Sequence, residues 1–310
     1  PSTLILDAPF VIDQGADLGK WSPTNYSKKF YGVSTMRLGL EKSRNLMTIR
    51  LAQMIGIESI VDNAKKLNIS NDIEPVLSMA LGAGETTLER LTVAYAMLVN
   101  GGKKISPSLI DRVQNRNGET IEKHDDRLCI NCKIEKSDSS LEPKIVDSRE
   151  QIIDPVHAYQ VVSMLEGAVL RGTGKKVSVI KKPLAGKTGT TNNSNDTWFI
   201  GFSPDLVVGI YVGFDTPKSL GPRETGASVA SPIFRDFMYL ALENEKGTPF
   251  RIPSKAQLVK INLKTGDLAR KNDKDVILEA FAPNSQIKDY INEKSFGRLK
   301  TDFQGLGGLY

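Results

Sequence analysis

The chain has 310 residues, 40% of them hydrophobic and 25% charged, enough for one large core or one core with a small appendage. No run approaches the ~18 apolar residues that a membrane-spanning helix needs. The net charge of +5 is scattered over pairs such as Lys28-Lys29, Lys65-Lys66 and Lys181-Lys182, which reads as solvated surface and argues against a nucleic-acid partner.

The first residues, Pro1-Ser2-Thr3-Leu4-Ile5-Leu6, have neither an initiator Met nor the basic start of a signal peptide, so they are expected to be the interior of a longer sequence. Residues 1–32 are punctuated by Pro and Gly, and Trp21-Ser22-Pro23-Thr24-Asn25-Tyr26 is expected to be an ordered loop. Ser34 can cap a short helix carrying Met36, Leu38 and Leu40 to about residue 42. After a break at Ser43-Arg44, the stripe Leu46, Ile49, Leu51, Met54-Ile55 predicts a helix ending at Gly56. A third helix is expected over about 57–67. A fourth covers about 86–99, capped by Thr86 or Thr87 and stopped by Gly101-Gly102.

Residues 105–150 are polar with weak strand signals and read as an insertion. Asp154-Pro155 opens a helix to about Leu170, which Arg171-Gly172-Thr173-Gly174 ends. Strands are expected over 184–190, 197–202 and 206–214, the last two joined as a hairpin by Ser203-Pro204-Asp205. Ser231-Pro232 starts a helix to about Leu242, and one short strand over 258–263 precedes a Gly-rich end. Helices segregated beside an antiparallel sheet predict an α+β fold with flanking helices and a helical subdomain.

Two cysteines occur, as Cys129-Ile130-Asn131-Cys132. A structural zinc site wants four ligands, and only His124 lies nearby, so no metal is expected. A local disulfide is expected in an extracytoplasmic setting and two free thiols otherwise.

Two patterns carry chemistry. Lys187-Thr188-Gly189-Thr190 sits at the end of an apolar strand, where the missing side chain of Gly189 lets a substrate backbone approach the edge. A second copy, Lys264-Thr265-Gly266, runs into Asp267 and reads as a turn. Ser43-Arg44-Asn45 lies between two helices, where Ser43 or Asn45 alone would be read as a cap. Beside the Lys-Thr-Gly strand, the hydroxyl, amide and ammonium together suit a site that acylates a serine with a carboxylate-bearing peptide.

With Ser-x-x-Lys, these are the signature of a serine acyl-transferase group. Trp21-Ser22-Pro23-Thr24-Asn25-Tyr26, Leu38 through Ser43-x-Asn45, Leu81-Gly82-Ala83-Gly84-Glu85-Thr86-Thr87, Ala94-Tyr95-Ala96-Met97-Leu98-Val99-Asn100-Gly101-Gly102, Gly186-Lys187-Thr188-Gly189-Thr190-Thr191 and Trp198-Phe199-Ile200-Gly201-Phe202 follow one another in order. Over about residues 1–250 this order resembles the transpeptidase domain of class A penicillin-binding proteins. Glu224-Thr225-Gly226-Ala227-Ser228 before Pro232-Ile233-Phe234 favours their 1A branch. The resemblance implies a transpeptidase domain over 1–250, with the insertion near 105–150, and an extension over 251–310.

The resemblance also implies roles. Ser43 passes a proton to the leaving group, Asn45 binds the peptide amide and Lys187 polarises the site. Thr188 and Thr190 hold the substrate carboxylate, Gly189 lies along the substrate, and the Thr190 backbone N–H is an oxyanion donor. The family's Ser-x-x-Lys nucleophile motif comes before the matched region and is expected to be absent from this chain. Inside it, Ser178-Val179-Ile180-Lys181 is too β-branched to start a buried helix, and Ser285-Gln286-Ile287-Lys288 lies in the tail.

The implied reaction is cross-linking of peptidoglycan stem peptides at D-Ala-D-Ala, blocked by β-lactams, in a parent that also carries a glycosyltransferase. No cofactor is implied. The implied location is the periplasmic side of the bacterial inner membrane, with any anchor outside this chain. A β-lactamase-like or D,D-carboxypeptidase hydrolase shares the three motifs, although the blocks at 21–26 and 81–87 argue against it. A noncatalytic binding module is the alternative of a different class.

Overall fold

The computed structural model of the chain describes residues 1–13, 19–125, 127–132, 142–283 and 285. Its N-terminal part pairs β1 (Leu4–Asp7) with β4 (Gly32–Thr35), and β2 (Ile12–Asp13) with β3 (Lys20–Trp21). Three helices follow: α1 (Met36–Glu41), α2 (Asn45–Ile55) and α3 (Ile57–Lys66). A 3-10 turn at Leu77–Leu81 leads to α4 (Leu88–Val99). One cap differs from expectation, Thr35 rather than Ser34 accepting the Leu38 N–H at the start of α1, while Thr87, one of the two expected residues, caps α4. Ser34 is occupied instead, its hydroxyl accepting from Arg44 at 2.7 Å.

The expected insertion holds two exposed hairpins, β5 (Arg112–Gln114) with β6 (Thr120–Lys123) and β7 (Cys129–Ile130) with β8 (Lys144–Ile145). Cys129 and Cys132 are joined as a disulfide on the second, which resolves the choice the sequence left open. The His124 ring lies 3.1 Å from the Ser106 carbonyl. Among the described residues, no group of three or more His, Cys, Asp or Glu could hold a metal.

Asp154 caps α5 (Pro155–Leu170), its side chain accepting the Val156 and His157 N–H groups. The sheet that carries the candidate site then forms from β9 (Ala185–Thr190), β10 (Thr197–Phe202) and β11 (Val207–Val212), antiparallel in the order β11-β10-β9. Side chains alternate across it. On one face, Phe199 packs against Phe234 of α6 (Ala230–Ala241), ring centroids 4.7 Å apart, with Val177 and Met238. On the other, Phe202 meets Tyr95 of α4 and Phe250, above Val162 and Leu165 of α5. The sheet is therefore buried on both faces. This explains why β10 and β11 read as apolar runs rather than as alternating ones.

Beyond residue 250, β12 (Gln257–Asn262) pairs with β13 (Val276–Phe281), a strand the sequence reading did not place. This hairpin is bolted to the N-terminal helices. Arg37 and Glu279 are both buried and meet through two hydrogen bonds of 2.5 and 2.6 Å, and Arg37 also reaches Ser163 of α5. The Thr35 hydroxyl donates to the Leu263 carbonyl at 2.9 Å. Lys264-Thr265-Gly266 is a turn with Gly266 at φ +74°.

Candidate active site

The break between α1 and α2 is a tight reversal. Lys42 and Ser43 N–H groups donate to Leu38 and Leu40 carbonyls, and Arg44 N–H returns to Gly39. Ser43 takes φ +53°, a left-handed conformation a non-glycine residue adopts at a cost of ~1 kcal/mol or more. Neither Ser43 nor Asn45 caps α2. Arg44 stands at the cap position without a side-chain bond, and Asn25 from the 21–26 loop accepts the Leu46 N–H at 3.3 Å instead. The cap explanation for Ser43-Arg44-Asn45 therefore fails.

The structure brings Ser43 and Lys187 together across 144 residues, with Lys187 Nζ donating to Ser43 Oγ at 2.7 Å and to the Thr188 carbonyl at 2.9 Å. Desolvation by burial pushes the Lys187 ammonium down to about 8. Asn45 opens α2, its Nδ2 donating to the Thr24 carbonyl at 3.0 Å. It makes no hydrogen bond to Ser43 or Lys187.

Strand β9 is the outer strand of its sheet, so no described strand pairs with its far edge. Thr188 and Thr190 share one face of it. The Thr188 and Thr173 hydroxyl oxygens lie 2.8 Å apart. Thr190 is exposed, and its hydroxyl oxygen accepts the Gly226 N–H at 2.9 Å. Gly226 lies flat against the strand: a Cβ there would stand 2.5 Å from the carbonyl oxygens of Gly189 and Trp198. Gly189 pairs with Trp198 on β10.

The two internal Ser-x-x-Lys matches do not join this cluster. Ser178 lies in a 3-10 turn (Lys175–Ile180), where its hydroxyl donates to the Lys175 carbonyl, and Lys181 ends that turn in a left-handed conformation. The Lys181 N–H donates to the Ser178 carbonyl at 3.2 Å, but the Lys181 ammonium makes no hydrogen bond to the Ser178 hydroxyl. Of the second match, Ser285 is described with its N–H donating to Ala282, while Lys288 lies outside the described residues.

Three contributors were not read from the sequence for their chemistry. Asn25 is buried and fastens its loop by donating to Asp7 and to the Lys29 carbonyl. Thr173 and Gly226 each touch a hydroxyl of β9. The pattern Gly172-Thr173-Gly174 was legible only as a helix stop.

A family profile described as the penicillin binding protein transpeptidase domain matches residues 1–239. Penicillin-binding protein 1A of Rickettsia conorii is 44% identical over 289 residues, covering 92% of this chain and 36% of that protein. The protein of the same name from Neisseria meningitidis is 32% identical over 256 residues, 81% of this chain and 30% of that protein. The crystal structure of penicillin-binding protein 1A from Haemophilus influenzae superposes with a TM-score of 0.77 at 25% identity, over 91% of this chain and 44% of that one. The chain thus spans a little over a third of the curated relatives it matches most fully. Among the described residues, no helix is long and apolar enough to cross a membrane.

Proposed function

The chain belongs to the penicillin-binding protein transpeptidase family, and from that premise we propose that it forms the binding and proton-relay part of a peptidoglycan D,D-transpeptidase. The proposal assigns residues 1–250 to that domain, with 105–150 inserted, and treats 251–310 as an extension whose hairpin locks onto α1 and α5. The observation that carries it is the 2.7 Å hydrogen bond from Lys187 to Ser43. Because Ser43 Oγ accepts from the ammonium, its own proton points away from Lys187. It is then free to go to the nitrogen expelled when a serine attacks the penultimate D-Ala carbonyl, and the proton that the attacking serine loses is passed back to Ser43 Oγ, so that the relay ends as it began. Lys187 supplies positive charge beside that step, in a setting where burial strengthens it.

Asn45 keeps Oδ1 for a substrate N–H, since only its Nδ2 is engaged. Thr188 and Thr190 hold the terminal carboxylate, Gly189 leaves the strand edge open to the peptide backbone, and the Thr190 N–H serves the oxyanion. The acylated serine belongs to a Ser-x-x-Lys segment that this chain does not itself supply. In the parent, a glycosyltransferase and a membrane anchor accompany the domain on the periplasmic side of the inner membrane. The Cys129–Cys132 disulfide suits that compartment.

The test is exposure of the full-length polypeptide to a fluorescent penicillin, then intact mass and peptide mapping, alongside a D-Ala-D-Ala stem peptide with an amine acceptor. One adduct per polypeptide and release of D-Ala are expected. Absence of both refutes the reading.

A further inference from the structure

Residues 171–173 join the two halves of the site. Glu41, the last residue of α1 and two before Ser43, is fully buried. Its carboxylate receives Arg171 Nη2 at 2.6 Å and Nε at 3.2 Å, as well as Arg37. Its carbonyl accepts the Thr173 N–H at 3.1 Å, and Lys42 Nζ donates to the Arg171 carbonyl. Gly172 lies directly against this turn, where a Cβ would overlap the Glu41 carbonyl oxygen. The segment is therefore strapped to the backbone that presents Ser43. From the same strap, Thr173 reaches the other half and meets the Thr188 hydroxyl at 2.8 Å.

The direction of that bond follows from what Thr188 has to bind. A hydroxyl has one proton and two lone pairs, whereas a carboxylate only accepts. For Thr188 to donate to a substrate carboxylate, its proton must point outward, so Thr173 must be the donor in the pair. Thr190 shows the same polarity, since its oxygen accepts from Gly226 N–H behind it and its proton is left for the open side. Two threonines on one strand face are thus each supplied with a donor from behind.

We propose that Thr173 is a positioning residue, which donates to Thr188 and so turns the Thr188 proton toward the carboxylate of the substrate. The inference rests on the reading of Thr188 as a carboxylate holder. Thr173 touches no substrate and acts only through Thr188.

The experiment measures penicillin acylation of the full-length polypeptide with Thr173→Val, Thr173→Ser, Thr188→Val and the Thr173→Val/Thr188→Val double substitution. Thr173→Val removes the donor at nearly constant shape and is expected to lower the second-order acylation constant about tenfold. The loss should lie in the half-saturating concentration, with the limiting rate kept within about twofold. Thr173→Ser restores the donor and should recover most of the loss. In the Thr188→Val background, Thr173→Val should add nothing.

Additive losses in the double variant, or a Thr173→Ser defect as large as that of Thr173→Val, would overturn the inference. So would unchanged acylation of Thr173→Val. If Thr173→Val loses its cooperative thermal transition, Thr173→Cys, a weak donor of serine-like shape, takes its place and should fall between Thr173→Ser and the Thr188→Val level. A Thr173→Cys rate equal to that of Thr173→Ser then overturns the inference. Failure of the unsubstituted polypeptide to label refutes the acyl-transfer reading itself. Labelling with Thr173 indifferent overturns only the role given to Thr173.

Discussion

Replacing Lys187 by Met removes the ammonium while keeping most of the chain volume. Burial holds the Lys187 ammonium at about 8, against 10.5 for the same group in water. At ~1.36 kcal/mol per unit, that difference disfavours the folded state by about 3 kcal/mol while both states carry the proton. The sign follows from proton counting. Below pH 8 the folded and unfolded chains are both protonated and the full cost is present. Between pH 8 and 10.5 the unfolded chain holds more protons, so stability rises with pH, and above 10.5 the cost is gone. Denaturant unfolding of the chain and of Lys187→Met should therefore give stabilities whose difference shifts by about 3 kcal/mol in favour of the unsubstituted chain between pH 7 and pH 10.5. Other titrating groups are common to both proteins and cancel. The lysine Cε carbon resonance, followed by nuclear magnetic resonance, should titrate near pH 8. Parallel stability curves, or a Lys187 resonance that titrates at its ordinary pH, would show that the Ser43–Lys187 contact is not desolvated and that the charge argument for the site is wrong.

Glu279→Ala should destabilise the whole domain by about 3 kcal/mol in denaturant unfolding, because it takes from the buried Arg37 its two short carboxylate hydrogen bonds and leaves it, as an ion pair, only the 3.4 Å contact to Glu41. A small effect would mean that the hairpin β12–β13 is not part of the cooperative unit. Gly226→Ala should cut penicillin acylation of the full-length polypeptide sharply, since its Cβ would press on the Gly189 and Trp198 carbonyls and shift the strand that carries Thr190; unchanged labelling would remove Gly226 from the site. The 310-residue chain alone should acquire no covalent penicillin by intact mass. The Ser178 hydroxyl is engaged with the Lys175 carbonyl, and no lysine ammonium is hydrogen-bonded to it among the described residues. An adduct at Ser178 or Ser285 would refute that.

The helices were legible because each carries its own punctuation. Gly56 ends α2, Asp154-Pro155 starts α5, and Gly101-Gly102 follows α4, all local signals that depend on no distant contact. Of the central strands, β10 and β11 were legible because sandwiching between α6 on one face and α4 with α5 on the other makes them largely apolar, and β9 because its motif follows the buried Leu184 and Ala185. Strand β13 was not. Val276–Phe281 holds Glu279 in its middle, which reads as solvent-facing, and only Arg37, 242 residues away, makes that position a buried one. A charge whose partner is remote cannot be assigned to the interior from its neighbours in sequence.

The same limit governs the site. Lys187 and Ser43 were legible as a pair because the chemistry of acyl transfer asks for both, and the motif supplies a reason to look across the chain. Thr173 and Gly226 answer no such demand by residue type: one stands in a helix stop and the other in a glycine-containing loop. They matter through geometry that arises only after folding, when α5 ends against Glu41 and the loop before α6 settles on Gly189. Residues that meet a substrate are constrained by what the substrate is, and that constraint can be read from a sequence. Residues that orient them are constrained only by where the fold has left a hydroxyl in need of a donor. For Thr188 and Thr190 that donor comes from two segments that share no motif, a threonine hydroxyl in one case and a glycine N–H in the other. A sequence pattern would have to anticipate both the strand face and the direction of a proton to find them.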